Sequence, residues 1–107
     1  MTDLIQEEEL GKWRRTHYSR EITMSLDGIE VIIMGWVSAI RDHGNIRFIM
    51  IRDRYGDIQV IAKKIECTEP LLEQIRQVRE HSTLAIRGKV RSQEKAPTGA
   101  EVVPAEV

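Results

Sequence analysis

The chain has 107 residues, enough for one domain with a modest core and too few for a second, catalytic one. Sixteen Lys and Arg against seventeen Asp and Glu leave a net charge of −1, so bulk charge points neither toward nor away from a polyanionic partner. A single cysteine, Cys67, excludes an intramolecular disulfide, and no apolar run approaches the roughly 20 residues that span a bilayer, so a cytoplasmic protein without a membrane segment is expected.

Residues 1–12 hold Asp3, Glu7, Glu8 and Glu9 against Lys12, an acidic leader expected to be flexible or helical, without the basic start and apolar centre of a signal peptide. The domain proper is expected at residues 13–107, and it is mildly basic. Arg14, Arg15, His17 and Arg20 form a basic arm with Tyr18 among them, which is either a nucleic-acid contact or a solvated face. After the turn signal Asp27-Gly28, residues 29–40 are rich in β-branched side chains and read as a long first strand; Gly35 within it predicts a bulge or sharp bend. Turn residues at 41–45 lead to a second strand at 46–52. A tight turn at 53–56 then leads to a third at 57–62.

The period changes at residues 70–79, where Leu71, Leu72, Ile75 and Val78 recur at helical spacing behind Pro70. Alternation returns at 82–91, a polar loop follows at 92–99, and a last short strand begins at 100–103. The predicted fold is all-β: a five-stranded OB-fold Greek-key barrel with one helix between strands 3 and 4. In that fold the strand 2 and 3 face and the flanking loops bind oligonucleotides or sugars. The chain ends at Val107 as the fifth strand should be finishing, and a domain of a longer protein is expected.

Alternation along strand 2 puts Phe48 opposite in sense to Arg47, Ile49 and Ile51, and a hairpin centred on Arg54 and Tyr55 puts Phe48 and Gln59 on one face. A ring that stacks and an amide that both donates and accepts suit a single-stranded base. The alternative is that Phe48 belongs to the core and Gln59 to a solvated strand position. Arg41, Arg47, Arg52 and Arg54 are candidates for phosphates or base edges, or ordinary surface charges. The three His and Cys67 lack the paired spacing of a zinc site, and no nucleophile motif or phosphate-cradling Gly-rich loop is present; no metal, cofactor or catalytic residue is assigned to this chain.

Arg15-Thr16-His17-Tyr18-Ser19, Gly35-Trp36-Val37, Arg41-Asp42-x-Gly44, Phe48, Ile51-Arg52-Asp53-Arg54-x-Gly56-x-x-Gln59-Val60 and Glu94-Lys95-Ala96-Pro97-x-Gly99-x-Glu101-Val102-x-Pro104 together resemble the N-terminal anticodon-binding domain of archaeal-type aspartyl-tRNA synthetases. The resemblance implies a tRNA anticodon loop as partner, with Phe48 stacking on the middle base, a uracil, and Gln59 bonding that base. It further implies that Arg41 approaches the first base and that the loop holding Lys95 and Pro97 approaches the third. Ser38 lies where archaeal relatives carry a bulkier His or Trp, whereas Pro97 matches a loop proline of relatives that separate aspartate from asparagine tRNA; the two positions point opposite ways. The parent would be a homodimeric ligase whose catalytic domain uses ATP and Mg. Two other readings stay open: the related barrel of an asparaginyl- or lysyl-tRNA synthetase, and a stand-alone single-stranded nucleic-acid binder.

Overall fold

The computed structural model describes residues 13–107, so the expected leader at 1–12 lies outside the described residues. The described residues form five strands: β1 (Glu30–His43), β2 (Ile46–Asp53), β3 (Gly56–Lys63), β4 (Thr83–Ser92) and β5 (Ala100–Glu106). One helix, α1 (Glu69–Arg76), lies between β3 and β4, and three short 3-10 turns occur at Ser19–Glu21, Met24–Leu26 and Lys64–Glu66. The strands close into a barrel in the order β1-β2-β3-β5-β4. All neighbours are antiparallel except β3 and β5, whose parallel pairing of Gln59 with Glu101 and Val60 with Val102 seals the barrel. This is the predicted OB-fold order.

The elements form where the side chains dictate. Val31, Ile33, Val37, Ile49, Ile51, Ile58, Val60, Ile86, Val90 and Val102 are all buried, each at an inward position of its strand, so branched side chains fill the narrow barrel. The helix starts one residue before Pro70, because Thr68 caps it by accepting the Leu71 N–H on its hydroxyl at 3.4 Å. It ends at Arg76, three residues earlier than expected. Val78 keeps the apolar rhythm and stays buried, but it lies beyond the regular helix.

The long β1 serves two neighbours. Its first half pairs with β4 and its second with β2, and Trp36 is opposed to both Thr83 and Arg52. Gly35 is expected to mark a bulge or a sharp bend; the register break itself falls between Val37 and Ala39, beside Ser38. Gly35 has a different task at that handover, since a Cβ there would collide with the carbonyl of Arg52 and the side chain of Ile51. It is a site of close backbone approach.

An arm ahead of the barrel is laced to it. The Thr16 N–H donates to the Ile32 carbonyl at 2.9 Å while the Thr16 hydroxyl accepts from the Ile32 N–H at 2.7 Å. Arg15 donates to the Met34 carbonyl at 2.8 Å. At the β2–β3 turn, Asp53 accepts the Ser19 N–H at 2.6 Å, the Ser19 hydroxyl at 2.7 Å and the Tyr55 N–H at 2.9 Å. The lacing delivers Ile22, fully buried, into the core. Gly35→Ala is expected to lower the unfolding free energy by about 1–3 kcal/mol, the range for overpacking against a backbone that cannot move aside; urea denaturation of the two proteins measures it.

Candidate nucleic-acid interface

Because Ile49, Ile51, Ile58 and Val60 point inward, the alternate residues Phe48, Met50, Arg52, Asp57, Gln59 and Ile61 form the outer face of the β2–β3 hairpin. Met50 opposes Gln59 and Phe48 opposes Ile61, so Phe48 and Gln59 are diagonal neighbours on that face, a spacing of about 7–8 Å in an antiparallel pair. Phe48 is half-buried rather than part of the core cluster. Its surroundings are mixed. Arg41 opposes it across β1 with the guanidinium carbon 5.5 Å from the ring centroid, and His43 meets it edge-on at 5.8 Å with the planes 84° apart.

Gln59 belongs to a polar chain that crosses the sealing seam. Its Nε2 donates to Oε1 of Glu101 at 2.9 Å, and Oε2 of Glu101 accepts from Nε of Arg91 at 3.1 Å. Arg91 donates onward through Nη1 to Glu66 at 2.9 Å. Glu101 is only 1% exposed, and a buried carboxylate is tolerated there because both oxygens are bonded. Burial pulls the pKa of Arg91 down, but the hydrogen bonds and charges of Glu66 and Glu101 raise it by more, so the guanidinium is held firmly charged. An ionised carboxylate can only accept, which fixes the Gln59 amide with its NH2 toward Glu101 and leaves the amide oxygen and one N–H uncommitted in this network. Nη2 of Arg91 is buried without a partner among the described residues.

Not every candidate reaches this face. Ser38 sits half-buried at the β1 bulge, its hydroxyl donating to the Met50 carbonyl at 3.3 Å, two strand positions from Phe48 on the Gln59 side. The 93–99 loop folds on itself through Gln93 N–H to Gly99 O and Gly99 N–H to Ala96 O, and carries Lys95 and Pro97 exposed beside the start of β5. Arg47, by alternation, points away from Phe48 toward the helix end of the barrel, where Nη2 donates to the Val78 carbonyl at 3.2 Å. Arg52 is on the face but paired twice with Asp57, at 2.9 and 3.3 Å. Arg54 lies at the far end of the hairpin, where Arg20 sits over the Tyr55 ring at 3.9 Å from its centroid, Tyr18 meets Tyr55 edge-on, and Arg15 lies over Tyr18.

Glu101 and Arg91 carry no binding role in the sequence pattern, although Glu101 lies within the family motif. A lone carboxylate between Ala100 and Val102 in a strand pairing with an arginine-bearing one was the available signal. Among the described residues no group of three or more His, Cys, Asp and Glu side chains could hold a metal ion. Burial, and then the charge of Glu66, push the Cys67 thiol up, away from the thiolate a reactive cysteine needs.

A closed five-stranded barrel that presents a ring and an oriented amide on its strand 2 and 3 face, with an arginine of β1 opposed to the ring, has the build of an oligonucleotide-binding barrel. The chain belongs to the OB-fold nucleic acid binding domain family, whose profile matches residues 31–107. It is 48% identical over 96 residues to "Aspartate--tRNA(Asp/Asn) ligase" of Methanocaldococcus jannaschii, a match covering 90% of this chain and 22% of that protein. The chain thus spans about a fifth of the length of the curated relatives it matches. The structure superposes on asparaginyl-tRNA synthetase from Pyrococcus horikoshii with a TM-score of 0.75 and 33% identity, covering 82% of this chain and 21% of that one. It also superposes on the OBody AM2EP06 bound to hen egg-white lysozyme, with a TM-score of 0.81 and 28% identity over 88% of this chain and 91% of that one.

Removing the Glu101 carboxylate should leave Gln59 and Arg91 without their shared acceptor. Glu101→Ala is expected to cost about 1–3 kcal/mol of unfolding free energy, and Glu101→Gln to cost less; thermal denaturation of both variants checks the order.

Proposed function

We propose that this chain is the anticodon-binding domain of an archaeal-type aspartate–tRNA ligase, and that the outer face of β2 and β3 receives the anticodon loop. The observation that carries the reading is the placement of Phe48 beside Gln59, with the amide oriented by buried Glu101. A base stacked on Phe48 would meet an amide whose free oxygen accepts an imino N–H and whose remaining N–H donates to a carbonyl. Uracil offers that donor and acceptor side by side; cytosine places an acceptor where uracil donates. Middle-base recognition of uracil follows, as the family resemblance implies.

Arg41, opposed to Phe48, is suited to the acceptor edge of a neighbouring guanine, the first anticodon base. Lys95 and Pro97 flank the third base from the 93–99 loop. Ser38, bonded to the Met50 carbonyl at the β1 bulge, borders this face and is the remaining candidate contact. The Methanocaldococcus jannaschii relative carries both tRNA(Asp) and tRNA(Asn) in its name, and this supports a third position read loosely in this chain as well. The full-length parent would be a cytoplasmic, homodimeric ligase that activates aspartate with ATP and Mg in a catalytic domain, this barrel supplying affinity and choice of tRNA.

Titration with a labelled anticodon stem-loop at fixed salt tests the reading. Phe48→Ala is expected to weaken binding by about 1–3 kcal/mol with the barrel still folded, and Gln59→Leu to abolish the preference for a middle uracil, because a polar base edge then faces an apolar group. Equal affinity for all four middle bases in the parent chain would sink the assignment. Exchanging C for U at the third position should change affinity by less than about fivefold, below the roughly 1–3 kcal/mol of a directly read base. A larger change would mean that the domain separates the two tRNAs.

A further inference from the structure

On the opposite side of β2 from Phe48, a cleft of about 330 Å³ opens between the β1–β2 turn, the end of β3 and helix α1. Its polar lining is Arg47, Lys64, Arg76, Asn45 and Asp42, over an apolar floor that includes Ile75. Their chemistry is one-sided: three cations against Asp42, with Glu73 bonded to the rim side of Arg76 at 3.5 Å. Even with both carboxylates counted, the site keeps an excess positive charge.

Arg47 gives the cleft its direction. Its Nη2 is anchored on the Val78 carbonyl at 3.2 Å, while its Nε is buried and has no partner among the described residues. A guanidinium N–H withdrawn from solvent and left unbonded is costly, and such a group calls for an acceptor. The rim above it is fixed. The Lys64 N–H donates to the Asn45 carbonyl at 2.8 Å, tying the β1–β2 turn to the end of β3, so the Asn45 and Lys64 side chains are presented from a braced backbone. Arg47, Lys64 and Arg76 line one small cleft, and two guanidinium groups with an ammonium are the donor set that tetrahedral oxyanions recognise.

The geometry points to a phosphate-sized anion site in this cleft, with Arg47 as its anchor and Lys64 and Arg76 as its closing charges. The site stands apart from the base-reading face, because Arg47 and Phe48 are consecutive in β2 and project to opposite sides. Two sources could supply the anion: free phosphate, or a backbone phosphate of RNA passing over the β1–β2 turn on its way from Phe48. Only the second source rests on the anticodon reading.

The experiment is an NMR titration of the 107-residue chain with inorganic phosphate, ionic strength held constant with chloride, following the Arg47 Nε–H and the Asn45 and Lys64 amides. Saturable shifts confined to these groups are expected. The double variant Lys64→Ala, Arg76→Ala, whose exposed side chains leave the core intact, should weaken phosphate binding by about tenfold or more, the scale of lost charge-assisted hydrogen bonds. In a second arm the anticodon stem-loop is added to phosphate-loaded protein. Displacement of phosphate, with a shallower salt dependence of RNA binding in the double variant, identifies an RNA phosphate as the occupant. Independent binding of the two identifies free phosphate. Shifts no larger with phosphate than with chloride, together with unchanged RNA binding by the double variant, overturn the proposal. Phe48→Ala separates this result from the anticodon reading, since it should weaken RNA binding and leave the phosphate shifts in place.

Discussion

The structure hangs on a short parallel seam. Four of the five strand contacts are antiparallel and generous, but the barrel closes only where Gln59 and Val60 meet Glu101 and Val102. At that seam the inward residues Val60 and Val102 are fully buried, and the outward ones are Gln59 and Glu101. The same four residues therefore finish the core on one side and begin the candidate binding face on the other. Glu101 couples the two roles, because its burial is tolerated only while Gln59 and Arg91 hold its oxygens. Recognition chemistry and barrel closure share one carboxylate.

This sharing explains why the interface looks half-finished as a surface and complete as a network. Phe48 is neither core nor fully exposed: Ile61 opposite it is 5% exposed, and Arg41 and His43 border its ring. A ring fixed on these sides is already oriented when a ligand arrives, and less order must be acquired on binding. Gln59 is held in the same spirit, with one end of its amide committed and the other left over. Charges farther along the hairpin are neutralised or stacked, as Arg52 is by Asp57 and Arg20 is by Tyr55.

Much of this was legible in the sequence. Strand alternation at 46–52 and 57–62 separates Phe48 and Gln59 from Ile49, Ile51, Ile58 and Val60, and a two-residue turn at Arg54 and Tyr55 sets the register that brings them to one face. The residues that escaped are those whose surroundings come from distant segments. Gly35 reads as a bulge or a sharp bend from its neighbours alone, but its need arises from the Arg52 carbonyl across the sheet. The helix was drawn to Arg79 because Val78 keeps the apolar spacing, although the chain has already left the helix when that side chain reaches the core. Glu101 and Arg91 are ten positions apart, and nothing local in either strand announces that one is buried against the other and against Gln59.

The laced arm belongs to the barrel as one physical object. The family profile starts at residue 31, with the first strand, yet Ile22 lies fully inside the core and Asp53 spends three of its hydrogen bonds on Ser19 and Tyr55. A barrel cut at its first strand would have an unplugged core and a carboxylate stripped of the Ser19 donors at its hairpin turn. The cooperative unit therefore includes the arm from about Arg15 onward, and the stretch matched by the family profile falls inside that unit.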